Sequence, residues 1–187
     1  MTRTRSPGAG FTLLELIITI AILAILSTFV TQGWNRWISQ SRQRALLDDY
    51  HAIFAYARWT AASTHSLVTL CPLSDQNRCV DDWTRPVSVF TDRNNDKKPD
   101  HDEILRSLAP DFGTFSLRSR TAGRGYFQFN EKGMTHGAMG SLVLCPQDPA
   151  TGTMTYMPVN LAGRFRVQYD QDADGIIRLS WGGKISC

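Results

Sequence analysis

The 187-residue chain carries none of the short signatures that announce catalysis. It has no HExxH, no GxSxG, no phosphate loop and no dinucleotide fingerprint. His51, His65, His101 and His136 are scattered without metal-ligand spacing, and there is no CxxC to suggest a zinc site. Without a nucleophile–base pair, a membrane-anchored enzyme has no footing here. An excess of one charge is missing too. The formal net charge is +3, but two of the 20 basic residues, Arg3 and Arg5, sit at the very start, and the remaining 18 face 17 acids. Global charge therefore gives no argument for nucleic acid as a partner, although local charge still can. Repeats and long low-complexity linkers are absent as well.

What is present begins with an apolar run. Phe11 to Val30 has the roughly twenty residues that cross a bilayer as a helix. No small-x-small cleavage site follows it, so a conventional removable secretory signal does not fit. Arg3 and Arg5 would hold the preceding segment on the cytoplasmic side. One acid, Glu15, lies inside the run, where an acid costs on the order of 2.5–3.5 kcal/mol. That cost marks it as functional and calls for a cation. Cutting between Gly10 and Phe11 would supply one: a new α-amine at Phe11, with Glu15 as the fifth residue of the mature chain.

The stretch "GFTLLELIITIAILAIL", Gly10 to Leu26, resembles the class III signal of type IV pilins and type II secretion pseudopilins. The resemblance implies a prepilin peptidase that cleaves after Gly10 and methylates the amine of Phe11, with Glu15 pairing to an N-terminal amine during assembly. It implies an inner-membrane protein, single-pass with a periplasmic head, that enters a pilus or pseudopilus beside other minor and major pilins or pseudopilins. One departure is visible. Many members carry a Pro some twenty residues into the mature chain; here the region reads "STFVTQGWNRW", with Gly33 as the expected loosening point.

Further along, Leu46, Tyr50, Ile53, Phe54, Ala57 and Ala61 recur at spacings of three and four, an amphipathic stripe. Arg42, Arg44, Asp48, Asp49 and Arg58 take other faces. The helix is expected from Phe11 to about Ala62, with its second half laid on a sheet. Strand-like runs follow at 66–71, 86–91, 114–120, 125–130, 141–145, 153–159, 164–169 and 176–181. Gly, Pro, Asn and Asp separate them, which implies antiparallel pairing. The fold class is α+β, pilin-like: one long N-terminal helix packed on an antiparallel β-sheet or sandwich head. The expected divisions are a leader at 1–10, a membrane-spanning part at 11–30, a periplasmic half-helix at 31–63 and a β-rich head at 64–187. The segments "YHAIFAYARWTAASTHSLVTLCP", "VFTDRNNDKKPDHDEILRSL", "FNEKGMT" and "LVLCP" resemble the GspH/FimT branch of minor pilins, whose head is sandwich-like.

All four cysteines lie beyond the apolar run, an even number suited to disulfides in an oxidising compartment. Three pairings are open to them. The favoured one joins Cys71 to Cys79 across a short loop and Cys145 to Cys187, pinning the last residue.

Two clusters have chemistry to offer. "DRNNDKKPDHDE" puts Asp92, Asn94, Asp96, Asp100 and Glu103 at the first, third, fifth, ninth and twelfth places of a calcium loop. Lys97 stands where such loops need Gly, and an acidic solvated connection is the alternative. No other cofactor is indicated. "DQDADG", Asp170 to Gly175, reads as a turn. "GRFR", Gly163 to Arg166, matches a Gly-Arg-x-Arg motif that in FimT-type minor pilins contributes to DNA binding during natural transformation. Arg164 and Arg166, alternate on a strand, would share a face suited to the phosphates of double-stranded DNA. Arg118, Arg120 and Arg124 would extend it, while Asp170, Asp172 and Asp174 count against it. Solubility or subunit contact is the plainer use of such arginines. Trp34 and Trp37 suit a membrane interface.

Overall fold

The computed structural model describes residues 12–137, 139–149 and 151–187, with side chains at all of these except 28–33, 35 and 36. Among the described residues, helix α1, Leu13–Thr64, is followed by ten strands. The chain divides into two compact units, Met1–Ile38 and Ser39–Cys187, so the second half of α1 belongs with the head.

In the first unit Thr12 opens the helix, its Oγ1 accepting the N–H of Glu15 at 3.3 Å. Every large apolar side chain from Leu13 to Leu26 is exposed. Among the described residues no helix is long and apolar enough to cross a membrane. The apolar run of the sequence starts at Phe11, and it ends in Thr28, Phe29 and Val30; all four lie outside the described residues or side chains.

The second unit is built around the stripe read from the sequence. Leu46, Tyr50, Ile53, Phe54, Ala57 and Ala61 are all buried, in one cluster with residues of two sheets. One sheet runs β3 (Arg106–Leu108), β2 (Val87–Thr91), β1 (Val68–Pro72), β5 (Phe127–Phe129). The other runs β4 (Phe115–Arg120), β6 (Gly140–Pro146), β7 (Thr155–Val159), β8 (Gln168–Tyr169). All their pairings are antiparallel. Phe54 sits where they meet the helix, 4.9 Å from Phe127 and 4.8 Å from Phe165 between ring centroids. Gln43 ties α1 to β7, donating to the Thr153 carbonyl at 2.6 Å and to Thr155 Oγ1 at 2.8 Å.

Alternation decides which face of β6 and β7 does what. Leu142, Leu144, Met157 and Val159 enter the main core. Val143, Cys145 and Tyr156 point the other way and meet Ile177 and Ile185 in a second, smaller core. Those two isoleucines come from a hairpin, β9 (Ile176–Arg178) with β10 (Lys184–Ser186). The hairpin is a separate layer, stapled by Cys145–Cys187; the other disulfide is Cys71–Cys79.

The structure corrects the strand reading in two ways. The run 164–169 is a strand only at Gln168–Tyr169, with a single bridge from Phe165 to Val159 before it. Two short strands, β3 and β10, have no counterpart among the expected runs.

Candidate functional site

Gly10 and Phe11, the expected cleavage and methylation residues, lie outside the described residues. Glu15 is exposed in the first turn of α1 and forms no ion pair among the described residues. Thr12 and Glu15 are spaced as a capping box, so part of the acid's value is local. An acid in a first turn gains only about 0.3–1 kcal/mol from the helix dipole. That is well short of the roughly 2.5–3.5 kcal/mol an acid costs within a bilayer.

The loop at 92–103 is spent on holding the head together. Asp92 is fully buried. Its Oδ2 accepts Thr69 Oγ1 at 2.7 Å and Gln128 Nε2 at 3.0 Å, and its Oδ1 accepts the Asp96 N–H at 2.8 Å. Asn94 Oδ1 accepts that same N–H at 3.3 Å, and Asp100 Oδ2 accepts the Arg93 N–H at 3.1 Å. Glu103 is exposed. No group of three or more His, Cys, Asp or Glu among the described residues is placed to hold a metal ion, so these acids do not converge as a cage. The backbone nevertheless turns as such loops do: Lys97, at the place of the usual Gly, has φ +63°. Its ammonium bonds Asn95 Oδ1 at 2.6 Å and lies 5.5 Å from the Tyr126 ring centre. The loop carries its own cation. The turn at 170–175 is also internally bonded, with buried Asp170 Oδ2 accepting the Gly175 N–H at 2.8 Å.

The Gly-Arg-Phe-Arg segment has a geometric reason for each residue. A tight turn precedes it, Asn160 Oδ1 accepting the Arg164 N–H at 2.9 Å. Gly163 has φ +71°, and a Cβ there would stand 2.3 Å from the Gly133 carbonyl oxygen, so no side chain fits. Phe165 then packs toward Phe54, which leaves Arg164 and Arg166 exposed on either side of it. Both arginines line a depression of about 270 Å³ with His51 and Arg58.

Arg166 also lines a larger groove, of about 1050 Å³, and Arg120 lines it too. The register explains their places. Arg120 is paired with Ser141, Ser141 with Pro158, and the Arg166 N–H donates to the Pro158 carbonyl at 3.0 Å. The row lies on the face that β4, β6 and β7 turn toward the hairpin. Two guanidiniums thus stand at the ends of a row whose middle is filled by a serine and a proline. Arg118, two residues earlier on the same face, donates to the Cys187 carbonyl and is spent on the hairpin. Arg124 lines no part of the groove. The hairpin borders the groove with Lys184, Arg178 and Trp181. Arg178 is held by Asp174 at 2.6 Å and Asp172 at 3.5 Å, which draws its charge away. Arg120, Arg166 and Lys184 have no such acid among the described residues. Motif reading missed Lys184 and Trp181; the hairpin that carries them reaches the sheet through the second core and the Cys145–Cys187 disulfide.

Comparison with known proteins bears on both halves. The family model described as type II transport protein GspH matches residues 46–183, and the prokaryotic N-terminal methylation motif matches residues 5–31. No curated protein matches the chain. Among solved structures, the type IV minor pilin FimU of Pseudomonas aeruginosa strain PAO1 is 19% identical, with a TM-score of 0.51 over 71% of this chain and 97% of that one. The minor pseudopilin EpsH of the type 2 secretion system of Vibrio cholerae is 11% identical, with a TM-score of 0.46 over 67% of this chain and 95% of that one. The first likeness shows the fold; the second is too distant to add to it.

Proposed function

The chain belongs to the GspH family of minor pilins and pseudopilins, and we propose that it is a structural subunit that helps prime and assemble a type IV pilus or a type II secretion pseudopilus. In this reading a prepilin peptidase cuts after Gly10 and methylates Phe11. The inner membrane then holds the apolar half of α1, and the head stays periplasmic until the subunit enters the filament beside other pilins or pseudopilins. One observation carries the reading. From Leu13 to Leu26 α1 offers exposed apolar side chains, interrupted by Thr19 and a single acid, Glu15, which is the surface a helix bundle with free N-terminal amines requires. The protein acts by being packed, not by catalysis.

Glu15→Ala tests it. The variant should enter membranes as well as the parent, since removing the acid lowers the insertion cost, yet its recovery in sheared filaments should fall at least tenfold. Equal recovery would mean that Glu15 is only a helix-capping residue. Replacing Gly10 should leave a precursor of higher mass.

A second reading has its own support: a DNA-binding subunit of a transformation pilus. Arg164 and Arg166 are exposed and have no acidic partner among the described residues, and Arg166 shares the larger groove with Arg120. The full-length chain in detergent should bind double-stranded DNA, more weakly as salt rises, and less after Arg164→Ala with Arg166→Ala. Unchanged binding by the double variant would place any DNA contact elsewhere.

A further inference from the structure

The groove between the hairpin and the outer face of the β4–β8 sheet contains more than phosphate-binding charge. Its lining includes four cations and no carboxylate. Three of the cations, Arg120, Arg166 and Lys184, are exposed and without an acidic partner among the described residues. Between Arg120 and Arg166 the row holds Ser141, which is buried, and Pro158, which is half-buried. Neighbouring strands lie about 4.8 Å apart, so the two guanidiniums are based roughly 14 Å from each other. This is an open trough with cations at its edges.

At the lip of the trough stands Trp181, at the tip of the turn that joins β9 to β10. It is 73% exposed, although tryptophan is the largest apolar side chain the hairpin has. The turn closes with the Leu179 N–H on the Gly183 carbonyl at 2.8 Å. A Cβ at Gly183 would come within 3.0 Å of Trp181 Nε1, so the missing side chain there makes room for the indole. The ring joins neither core. A lone exposed aromatic needs no explanation, but this one is held beside three free cations and the exposed apolar side chains of Met139 and Val167. Charge alone would suit any polyanion. Charge beside an open aromatic face suits one whose bases are unpaired, because only an unpaired base offers its flat face for stacking.

We propose that this groove binds single-stranded nucleic acid, with Arg120, Arg166 and Lys184 on the backbone and a base stacked on Trp181. The proposal rests on the second reading above and narrows it, from DNA in general to a strand with free bases. Arg178 is not assigned a contact, since Asp174 and Asp172 already hold it.

The test compares a twelve-nucleotide oligothymidine, a duplex of the same length and polyglutamate of matched charge, each binding to the full-length chain in detergent, at two salt concentrations. Oligothymidine should bind more tightly than either rival. Trp181→Ala should weaken it by roughly 5- to 150-fold, the range expected for losing one base–aromatic stack, while Trp181→Phe should stay within a few-fold of the parent. Because Trp181 packs in neither core, both variants should keep the parent's melting temperature. Replacing Arg120 or Lys184 by Gln should each lower the salt slope for the single strand by about 0.7. If single strand and duplex bind alike and Trp181→Ala alters neither, the stacking proposal falls while the DNA reading survives. If polyglutamate competes as well as oligothymidine, the groove is a general acidic-ligand site and the proposal is overturned. If nothing binds at low salt, both readings fall together.

Discussion

Two stretches of α1 are similarly rich in apolar residues and have opposite fates. From Leu13 to Leu26 the large apolar side chains are between 49% and 77% exposed; from Leu46 to Ala61 the stripe residues are at most 5% exposed. Composition separates them in part, since Asp48, Asp49, His51 and Arg58 all fall in the second, and arrangement does the rest. The first stretch is apolar all round, so no single face can be satisfied by the chain's own sheets, and such a helix is made for surroundings that are apolar on every side. The second keeps its apolar residues at spacings of three and four and buries them against two sheets. Hydrophobicity in the first is addressed to something outside the chain, and in the second to the chain itself.

The largest effects come from breaking that contrast at matched positions. Phe54→Ala should destabilise the head by about 3–5 kcal/mol, the cost of a large core truncation. For a unit of this size that lowers the melting temperature on the order of 10 °C. Ile18→Ala, an equally apolar site in the first stretch, should leave head melting unchanged. The measurement is thermal unfolding of the full-length chain followed by near-ultraviolet circular dichroism. A comparable loss from Ile18→Ala would mean that the two stretches are not energetically separate. Phe54→Ala should also weaken any DNA binding through Arg164 and Arg166, because Phe165 between them packs on the Phe54 ring.

The stripe was legible in the sequence because periodicity is a local signal, and so were the strand runs that became β1, β2 and β4 to β7. Other features were not local. β3 reads "RSL" and β10 reads "KIS"; neither has enough alternation to stand alone, and each exists by pairing with a better strand. The calcium spacing at 92–103 was visible, but the direction of Asp92 was not. Its carboxylate is taken by Thr69 and Gln128, 23 and 36 residues away, and only the sheet brings them to it. The arginine site divides the same way. The sequence marked Arg164 and Arg166 and offered Arg118, Arg120 and Arg124 as extensions, and the strand register selects Arg120, in one row with Arg166. Arg118, which looked equivalent, is drawn off by the chain's last carbonyl.

The two disulfides sharpen a second contrast, between the main sandwich and the added hairpin layer. Cys71–Cys79 closes a loop of sequence separation 8, and Cys145–Cys187 one of 42. On the chain-entropy account these are worth about 2.5 and about 4 kcal/mol respectively. Replacing both cysteines of a pair by serine should therefore cost more for the hairpin staple. Hydrogen exchange should show where: at Ile177 and Ile185 when the Cys145–Cys187 bond is lost, near the 72–80 loop when the other is. Equal costs would mean that the apolar contacts of Ile177 and Ile185 hold the hairpin without its staple.

The smallest expected effect separates hairpin charge from hairpin packing. Arg178 holds the exposed Asp174 carboxyl below the usual aspartate range, first by its hydrogen bond, with the Ile176 N–H adding to it. Since the folded form lowers this pKa, the contribution is fully present above the ordinary aspartate value of about 3.9 and is lost as pH falls through the lower folded value. Both groups are solvent-exposed, so the pair is screened and melting should barely move in Asp174→Asn. Exchange at the β9–β10 amides should nevertheless be faster in the variant than in the parent at neutral pH, with the difference closing in strongly acidic solution. A melting shift as large as that from losing Cys145–Cys187 would mean that charge, not the disulfide and the two isoleucines, holds this layer. The same variant also frees Arg178 of one of its two acids. If the groove takes an anion, Asp174→Asn should bind it somewhat more tightly than the parent does, in the direction opposite to its effect on the hairpin.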